Sequence, residues 1–225
     1  MNFTDMWQTW IKATTSPNET TFEELRTRPD ANVTTAIIWM AIYGAISAVI
    51  GILSGMMALN TINNLVPTVM SQLELPPAEA AQVEQALRAI TSGGAGIAGA
   101  GFASLANIVM VPLSFLLGVA IYYLIARVLG GKGDFGRYAF LNAAFAAPLG
   151  ILTSLLGLVP FVGCVTPIIS IYSLVLVYFA TKAEHQLSSG RAIWVVLVPI
   201  VILFVLFGCF IFSLIGLIAS LQGAQ

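Results

Sequence analysis

The chain has 225 residues, of which 58% are hydrophobic and only 8% charged, and its mean hydropathy is +0.93. An ordinary soluble domain carries about 25% charged residues, so nine Lys and Arg with ten Asp and Glu cannot clothe a water-soluble globule of this size. The same figures exclude a disordered tail and a nucleic-acid binder, which needs a basic patch. What remains is an all-α polytopic membrane protein whose outer surface faces lipid.

The first segment, 1–32, reads as a short amphipathic cytoplasmic piece. Phe3, Met6, Trp7, Trp10 and Ile11 recur at helical spacing, with Asp5, Gln8 and Lys12 between them. Two tryptophans on one stripe suit the headgroup layer, where an indole is half wet; the alternative is a short helix packed on the cytoplasmic ends of the spans. A second short helix is expected over 21–28, with Phe22 and Leu25 facing inward, Thr20 or Thr21 as cap, and Glu23 and Glu24 in its positive first turn. Three Asn-x-Thr sequons begin at Asn2, Asn18 and Asn32. On the cytosolic side or at the membrane edge they read as chance matches without glycan. The segment lacks the continuous apolar core and small-residue cleavage site of a signal peptide, so the first span is expected to act as the insertion signal.

A helix crossing about 30 Å of hydrocarbon needs roughly 20 apolar residues. The charge-free runs give five such spans, at about 33–59, 102–126, 138–159, 164–181 and 192–219. The third and fourth come from one long run between Arg137 and Lys182, divided at Pro160, Gly163 and Pro167. The spans are apolar on every side, which rejects a β-barrel with its alternating ten-residue strands. The membrane domain is then 33–219, followed by an extracytoplasmic tail, 220–225. Basic residues set the orientation: eight of the nine fall in the N-terminal segment, after span two and after span four, and only Arg88 lies in the other connections. This predicts the N-terminus inside, the C-terminus outside, and a cell-membrane location.

The connection at about 60–101 is the only sizeable extracytoplasmic piece. Pro76 and Pro77 open an expected helix over 78–90, with Glu84 and Arg88 as an i,i+4 pair and a stop at Ser92-Gly93-Gly94. The following GGAGIAGAG reads as a flexible or close-packed lead-in. It lacks the terminal Lys-Ser/Thr of a phosphate loop.

Chemistry is sparse. Catalysis and coupled transport usually place ionisable groups inside spans, and none lies within these five. The single His, His185, stands beside Glu184 in a connection and reads as a solvated loop residue. One His and two Cys do not make a closed zinc site. No cofactor, metal or catalytic set is expected. Cys164 and Cys209 read as separate small apolar residues, with one bridge between them as the only possible pairing. Of the polar residues within spans, Asn107 and Asn142 are expected to face protein, with a mutual contact open if spans two and three pack together. Ser47, Gly51 and Gly55 form a ladder of small residues that lets helices approach closely. Pro112, Pro148 and Pro199 should notch their spans, and Pro148 is taken with the helix-packing positions.

The order of these features is similar to a known family. A Trp-containing segment, WQTWIKATTSPNETTFEEL, precedes a long first span. A small-residue second span ends in ARVLGGKGDF, and FGRYAFLNAAFAAP opens a Pro-broken hairpin. A fourth span runs into YSLVLVYFATKAEHQLSSGRA, and the last span contains Pro199. Over nearly its whole length this resembles the Yip domain family (Ypt-interacting protein) in the form carried by bacteria and archaea. The resemblance implies five spans with the N-terminus inside. It also implies no known reaction. Eukaryotic relatives bind Rab-type small GTPases and one another through cytosolic N-terminal regions. Here their Gly-Tyr-x-x-x-Pro segment is matched only by Ala143, Ala144 and Pro148, and their Asp-Leu-x-Gly-Pro motif and long cytosolic tail are absent. Those departures speak against small-GTPase binding.

The expected function is a non-enzymatic membrane organiser or adaptor. Trp7, Trp10, Phe22, Lys132, Phe135 and Arg137 would meet lipid headgroups or a partner, and the Gly51–Gly55 face would meet another membrane protein or a second copy. The alternative is a small permease or channel component for a neutral solute.

Overall fold

The computed structural model describes residues 2–72, 79, 81–83, 85, 97–159 and 162–222. Its elements are α1 (Phe3–Thr15), α2 (Glu19–Arg26), α3 (Val33–Gln72), α4 (Ile97–Val128), α5 (Phe135–Leu156), a 3₁₀ turn (Val162–Val165), α6 (Thr166–His185) and α7 (Ser189–Gln222). Five stretches are long and apolar enough to cross a membrane: Val33–Met57, Ser104–Val128, Phe135–Leu156, Val162–His185 and Ser189–Leu214. The chain is therefore an all-α polytopic bundle. α3 runs on to Gln72, past the expected span end near residue 59. The expected Glu84–Arg88 pair, the stop at 92–94, Pro160, most of the helix over 78–90 and the end of the tail lie outside the described residues.

Helix starts follow from local chemistry. The side-chain oxygens of Asn2, Asn18 and Asn32 accept from the backbone N–H groups of Thr4, Thr21 and Thr35 at 3.3, 2.8 and 2.9 Å. Each Asn-x-Thr sequon is thus a helix N-cap, which satisfies a donor that the first turn leaves open. Asn18 takes the capping position expected of Thr20 or Thr21, and Glu19 replaces Glu23 and Glu24 in the first turn of α2. Asp134 caps α5 in the same way, accepting from the Arg137 N–H at 3.0 Å.

α5 is the hub. α3, α6, α1 and α2 all pack against it, and its side chains from Tyr138 to Phe145, with Ala147 and Leu149, are buried. Small residues allow the close approach. A Cβ on Gly150 would stand 2.5 Å from the Tyr43 ring, so the tyrosine of α3 lies flat on bare α5 backbone. The same device joins α3 to α4. A Cβ on Gly44 would stand 2.6 Å from the Asn107 carbonyl oxygen, and one on Gly51 2.7 Å from the Ser104 hydroxyl. Ser47 on this face is buried, its hydroxyl donating to the Gly44 carbonyl at 2.9 Å. The small-residue ladder is therefore filled by the chain's own α4 at Ser47 and Gly51. This corrects its expected use as a contact between copies; Gly55, one turn further on, is half-buried. Asn107 and Asn142 also part company. Asn107 lies on the α3 side of α4, and the Asn142 amide donates to the Tyr138 carbonyl of its own helix at 2.8 Å.

Backbone at the α3–α4 seam cannot move aside as a side chain tip can. Gly44→Val should therefore lower stability by about 1–3 kcal/mol, the usual cost of overpacking. Gly118→Ala, whose Cβ would meet open space, should be neutral. Thermal unfolding of both variants in detergent checks the contrast.

Candidate functional site

Two features distinguish one end of the bundle: a collar made by α1 and α2, and a glycine-rich loop seated on the end of α6. The collar is built in through one stripe of α1 (Met6, Thr9, Trp10 and Ala13) and through Phe22 and Leu25 of α2, all buried. Trp10 meets Trp39 edge-on at 6.1 Å between ring centroids, and Trp39 packs on Phe140 at 4.9 Å. Phe22 inserts between Phe145 and Phe179, at 6.2 and 6.5 Å. Polar ties reinforce it. The Tyr172 hydroxyl donates to the Thr14 carbonyl, Arg26 Nη1 donates to the Ala183 carbonyl at 2.7 Å, and Lys182 pairs with Glu19 and Lys12 with Glu24. Arg28 grips Asp30 with two bonds, 2.9 and 3.1 Å, where α2 turns into α3. Those hydrogen bonds hold the Asp30 carboxyl below its ordinary range, against the opposing effect of partial burial.

The loop at 129–134 lies directly on Glu184 and His185. The Asp134 N–H donates to Glu184 Oε1 at 2.7 Å, and Arg137 Nε reaches the same oxygen at 3.1 Å. The Gly133 N–H donates to His185 Nδ1 at 3.3 Å, and the Lys132 N–H to the His185 carbonyl at 3.3 Å. Accepting at Nδ1 makes the imidazole neutral in this arrangement, with its proton on Nε2. Its ring packs on Tyr123 and Tyr138, whose hydroxyl shares a hydrogen bond with Thr181 at 2.8 Å. Neither Glu184 Oε2 nor His185 Nε2 has a hydrogen-bond partner, and both are buried.

The glycines make this contact possible. Gly130 has φ of +94°, in the left-handed region that favours glycine. A Cβ on Gly131 would stand 2.8 Å from the Ala126 carbonyl oxygen and from His185 Nδ1, and one on Gly133 2.9 Å from the Glu184 carbonyl oxygen. The GGKGD run is a close-approach loop.

The expected contact residues divide. Trp10 and Phe22, expected at lipid headgroups or a partner, are 3% and 0% exposed; their indole and phenyl rings are spent on the bundle itself, which corrects that expectation. His185, expected to be solvated, is buried under the loop. Phe135 is half-buried, edge-on to Tyr123 at 5.4 Å. Lys132 and Arg137 are exposed, and so is Trp7. With Phe3 and Ile11, Trp7 forms a second apolar stripe on α1, 73%, 53% and 46% exposed along Phe3, Trp7 and Ile11. The two stripes interleave at helical spacing, so periodicity alone merges them into one.

Further along the bundle, α4, α5 and α6 line an open cavity of about 380 Å³ whose walls include Phe115, Tyr122, Asn142, Thr153 and Ser173. The hydroxyls of Thr153 and Ser173 donate to carbonyls of their own helices, which leaves the space largely apolar. Among the described residues no group of three or more His, Cys, Asp or Glu stands together to hold a metal ion, and Cys164 and Cys209 are not joined.

A multi-pass helical membrane protein with a folded N-terminal collar is thus defined. Residues 11–210 match the family model described as the Yip1 domain, and the chain belongs to that family. No curated protein and no solved structure matches the chain.

Removing Arg137 strands a buried carboxylate, whereas Glu184→Gln removes its charge and leaves the half-exposed arginine in water. Arg137→Ala should therefore cost roughly 3 kcal/mol, the lower end for a broken buried pair. Adding Glu184→Gln to it should recover part of that loss, as a double-mutant cycle in thermal unfolding will read. Asp30 gives a pH signature with a definite sign. Its folded-state pKa is depressed, so its contribution is complete above the ordinary carboxylate range and disappears as pH falls through the lowered value. Asp30→Asn should flatten that acid limb and leave the stability curve above it unchanged in slope.

Proposed function

We propose that the protein is a non-enzymatic adaptor or membrane organiser of the cell membrane, with the collar on the cytoplasmic side. The observation that carries this reading is the outward stripe of Phe3, Trp7 and Ile11 on a helix whose other stripe is locked into the bundle. A rigidly held amphipathic helix presents its apolar residues in fixed geometry, to the headgroup layer or to a partner's helix. The basic residues agree with the orientation: Arg26, Arg28, Arg127, Lys132, Arg137, Lys182 and Arg191 lie in or beside the connections at this end, as the positive-inside rule requires. Exposed Lys132 can add about 1 kcal/mol of attraction to anionic lipid, whereas the charge of Arg137 is already paired with Glu184. The buried Glu184 and His185 are used in holding the loop, so they supply no exposed acid, base or nucleophile.

The cavity between α4, α5 and α6 favours a second reading, a permease component for a small neutral solute. Its Thr153 and Ser173 hydroxyls are already bonded to backbone, so an occupant would be held chiefly by shape and apolar contact.

A photo-crosslinking residue at Trp7 in native membranes separates the two. The adaptor reading expects capture of lipid or of one discrete protein, with capture at Trp10 much weaker because that side chain is covered. Solute flux through purified protein in liposomes, without capture at Trp7, would overturn it in favour of the permease.

A further inference from the structure

The last helix leaves an open groove at the collar end of the bundle. α4 ends beside the start of α7, and the two meet through Ala126, Ala192 and Val195, all buried. Next to this seam, Leu124, Ile125, Val128, Leu129, Trp194 and Val198 line a groove of about 570 Å³. Leu124, Val128 and Trp194 are 62%, 86% and 58% exposed, so the described chain does not cover it. Both walls belong to stretches long and apolar enough to cross a membrane. From Arg191 to Val198, seven residues on, α7 rises about 10 Å, and half of a hydrocarbon layer is about 15 Å. The groove therefore has the length of an acyl-chain segment within one leaflet.

The mouth of the groove is basic. Arg191 shares a face of α7 with Trp194 and Val198, at i, i+3 and i+7. Its Nη1 donates to the Leu129 carbonyl at 3.4 Å, which holds the guanidinium at the α4 wall. Gly130 leaves it room: a Cβ there would stand 3.3 Å from the same Nη1. One of the five guanidinium N–H donors is spent in this way. Arg191 is exposed, and among the described residues no carboxylate pairs with it. The first turn of α7, Ser189 to Arg191, is exposed as well, and a helix start presents backbone N–H groups and positive charge. Around it, residues 127–134 and 186–191 carry Arg127, Lys132 and Arg191 against the single carboxylate of Asp134, which caps α5. Arg127 lies over the Tyr123 ring at 5.9 Å and contributes field rather than contact.

An apolar trough with a cationic mouth complements a lipid whose headgroup is negative. Guanidinium and phosphate pair through two parallel hydrogen bonds. An indole sits at the headgroup level, and basic pockets between spans bind anionic headgroups. A neighbouring apolar helix would fill the trough and leave Arg191 without a counter-charge. We propose that the α4–α7 groove binds one anionic phospholipid, its phosphate at Arg191 and the first turn of α7 and an acyl chain along Val128, Trp194 and Val198. The site shares no residue with the stripe of Phe3, Trp7 and Ile11, so it stands or falls separately from the adaptor reading.

Trp194 makes the site readable. The full chain carrying Trp7→Phe is reconstituted in phosphatidylcholine vesicles containing brominated phosphatidylglycerol or, at the same mole fraction, brominated phosphatidylcholine. Trp10 and Trp39 are buried, so the quenched fraction reports Trp194, and Trp194→Phe should remove most of it. Brominated phosphatidylglycerol should compete for this position about fivefold better than brominated phosphatidylcholine, the worth of one arginine at an anionic surface. Arg191→Gln should bring the ratio to about one, whereas Lys132→Gln, which takes an equal charge from the same connection, should change it by less than about twofold. Equal quenching by the two lipids would overturn the proposal. So would a preference that survives Arg191→Gln, or one that Lys132→Gln removes as fully, since either marks a diffuse surface charge. Absence of quenching by both lipids would overturn it too, and a crosslinked dimer would then assign the groove to a second copy.

Discussion

One buried carboxylate organises the polar end of this bundle. Glu184 is enclosed on every side, and a charge so placed is tolerable only with hydrogen bonds and an opposite charge around it. The loop at 129–134 provides both, through the Asp134 N–H and the Arg137 side chain. To do so it must touch the helix end, and only residues without a Cβ come that close. Gly133 is required by this contact with Glu184 and Gly131 by the adjoining one with His185, and the same contact holds α5, whose first turn carries Arg137 and whose cap is Asp134. Because the loop joins α4 to α5 while Glu184 stands in the last turn of α6, one buried carboxyl group sets three helices relative to one another.

The collar answers a different requirement. α5 is rich in alanine between Ala139 and Ala147, and a helix of small residues packs closely but offers little bulk of its own. Its neighbours bring the bulk: Tyr43 and Trp39 from α3, Trp10 from α1, Phe22 from α2 and Phe179 from α6. α1 and α2 are consequently part of the core. The N-terminal segment cannot act as a free tail, and whatever it binds meets a surface already fixed in place.

The spans were legible because lipid imposes a length and an absence of charge, and both are visible in the run from Arg137 to Lys182 as in the others. Helix identity at the N-terminus was legible from periodicity, but the division of α1 into inward Met6 and Trp10 and outward Phe3, Trp7 and Ile11 was not. Two apolar stripes on one short helix sum to a single broad face, and only a partner reveals which half is covered. The burial of His185 was hidden for a related reason. Its neighbours in the chain, Lys182 and Glu184, mark water, while the groups that enclose it, Tyr123, Tyr138 and Gly133, come from the distant α4–α5 region of the chain. One signal did exist. The capping role of Asn2, Asn18 and Asn32 could have been found from Asn standing two or three residues before a threonine at a helix start, where a cap competes with the sequon as an explanation of the same three letters.

The family match begins at residue 11, and that boundary falls within α1. Phe22, the glycine loop, the alanine-rich hub and the Glu184–His185 end lie inside the matched stretch, while Met6 and Trp10, which also pack into the core, lie before it. Of the outward stripe, Phe3 and Trp7 lie before it and only Ile11 falls within. The stripe of Phe3, Trp7 and Ile11 is the apolar surface of α1 that the bundle leaves uncovered, so a search for what the protein contacts gains most by starting there.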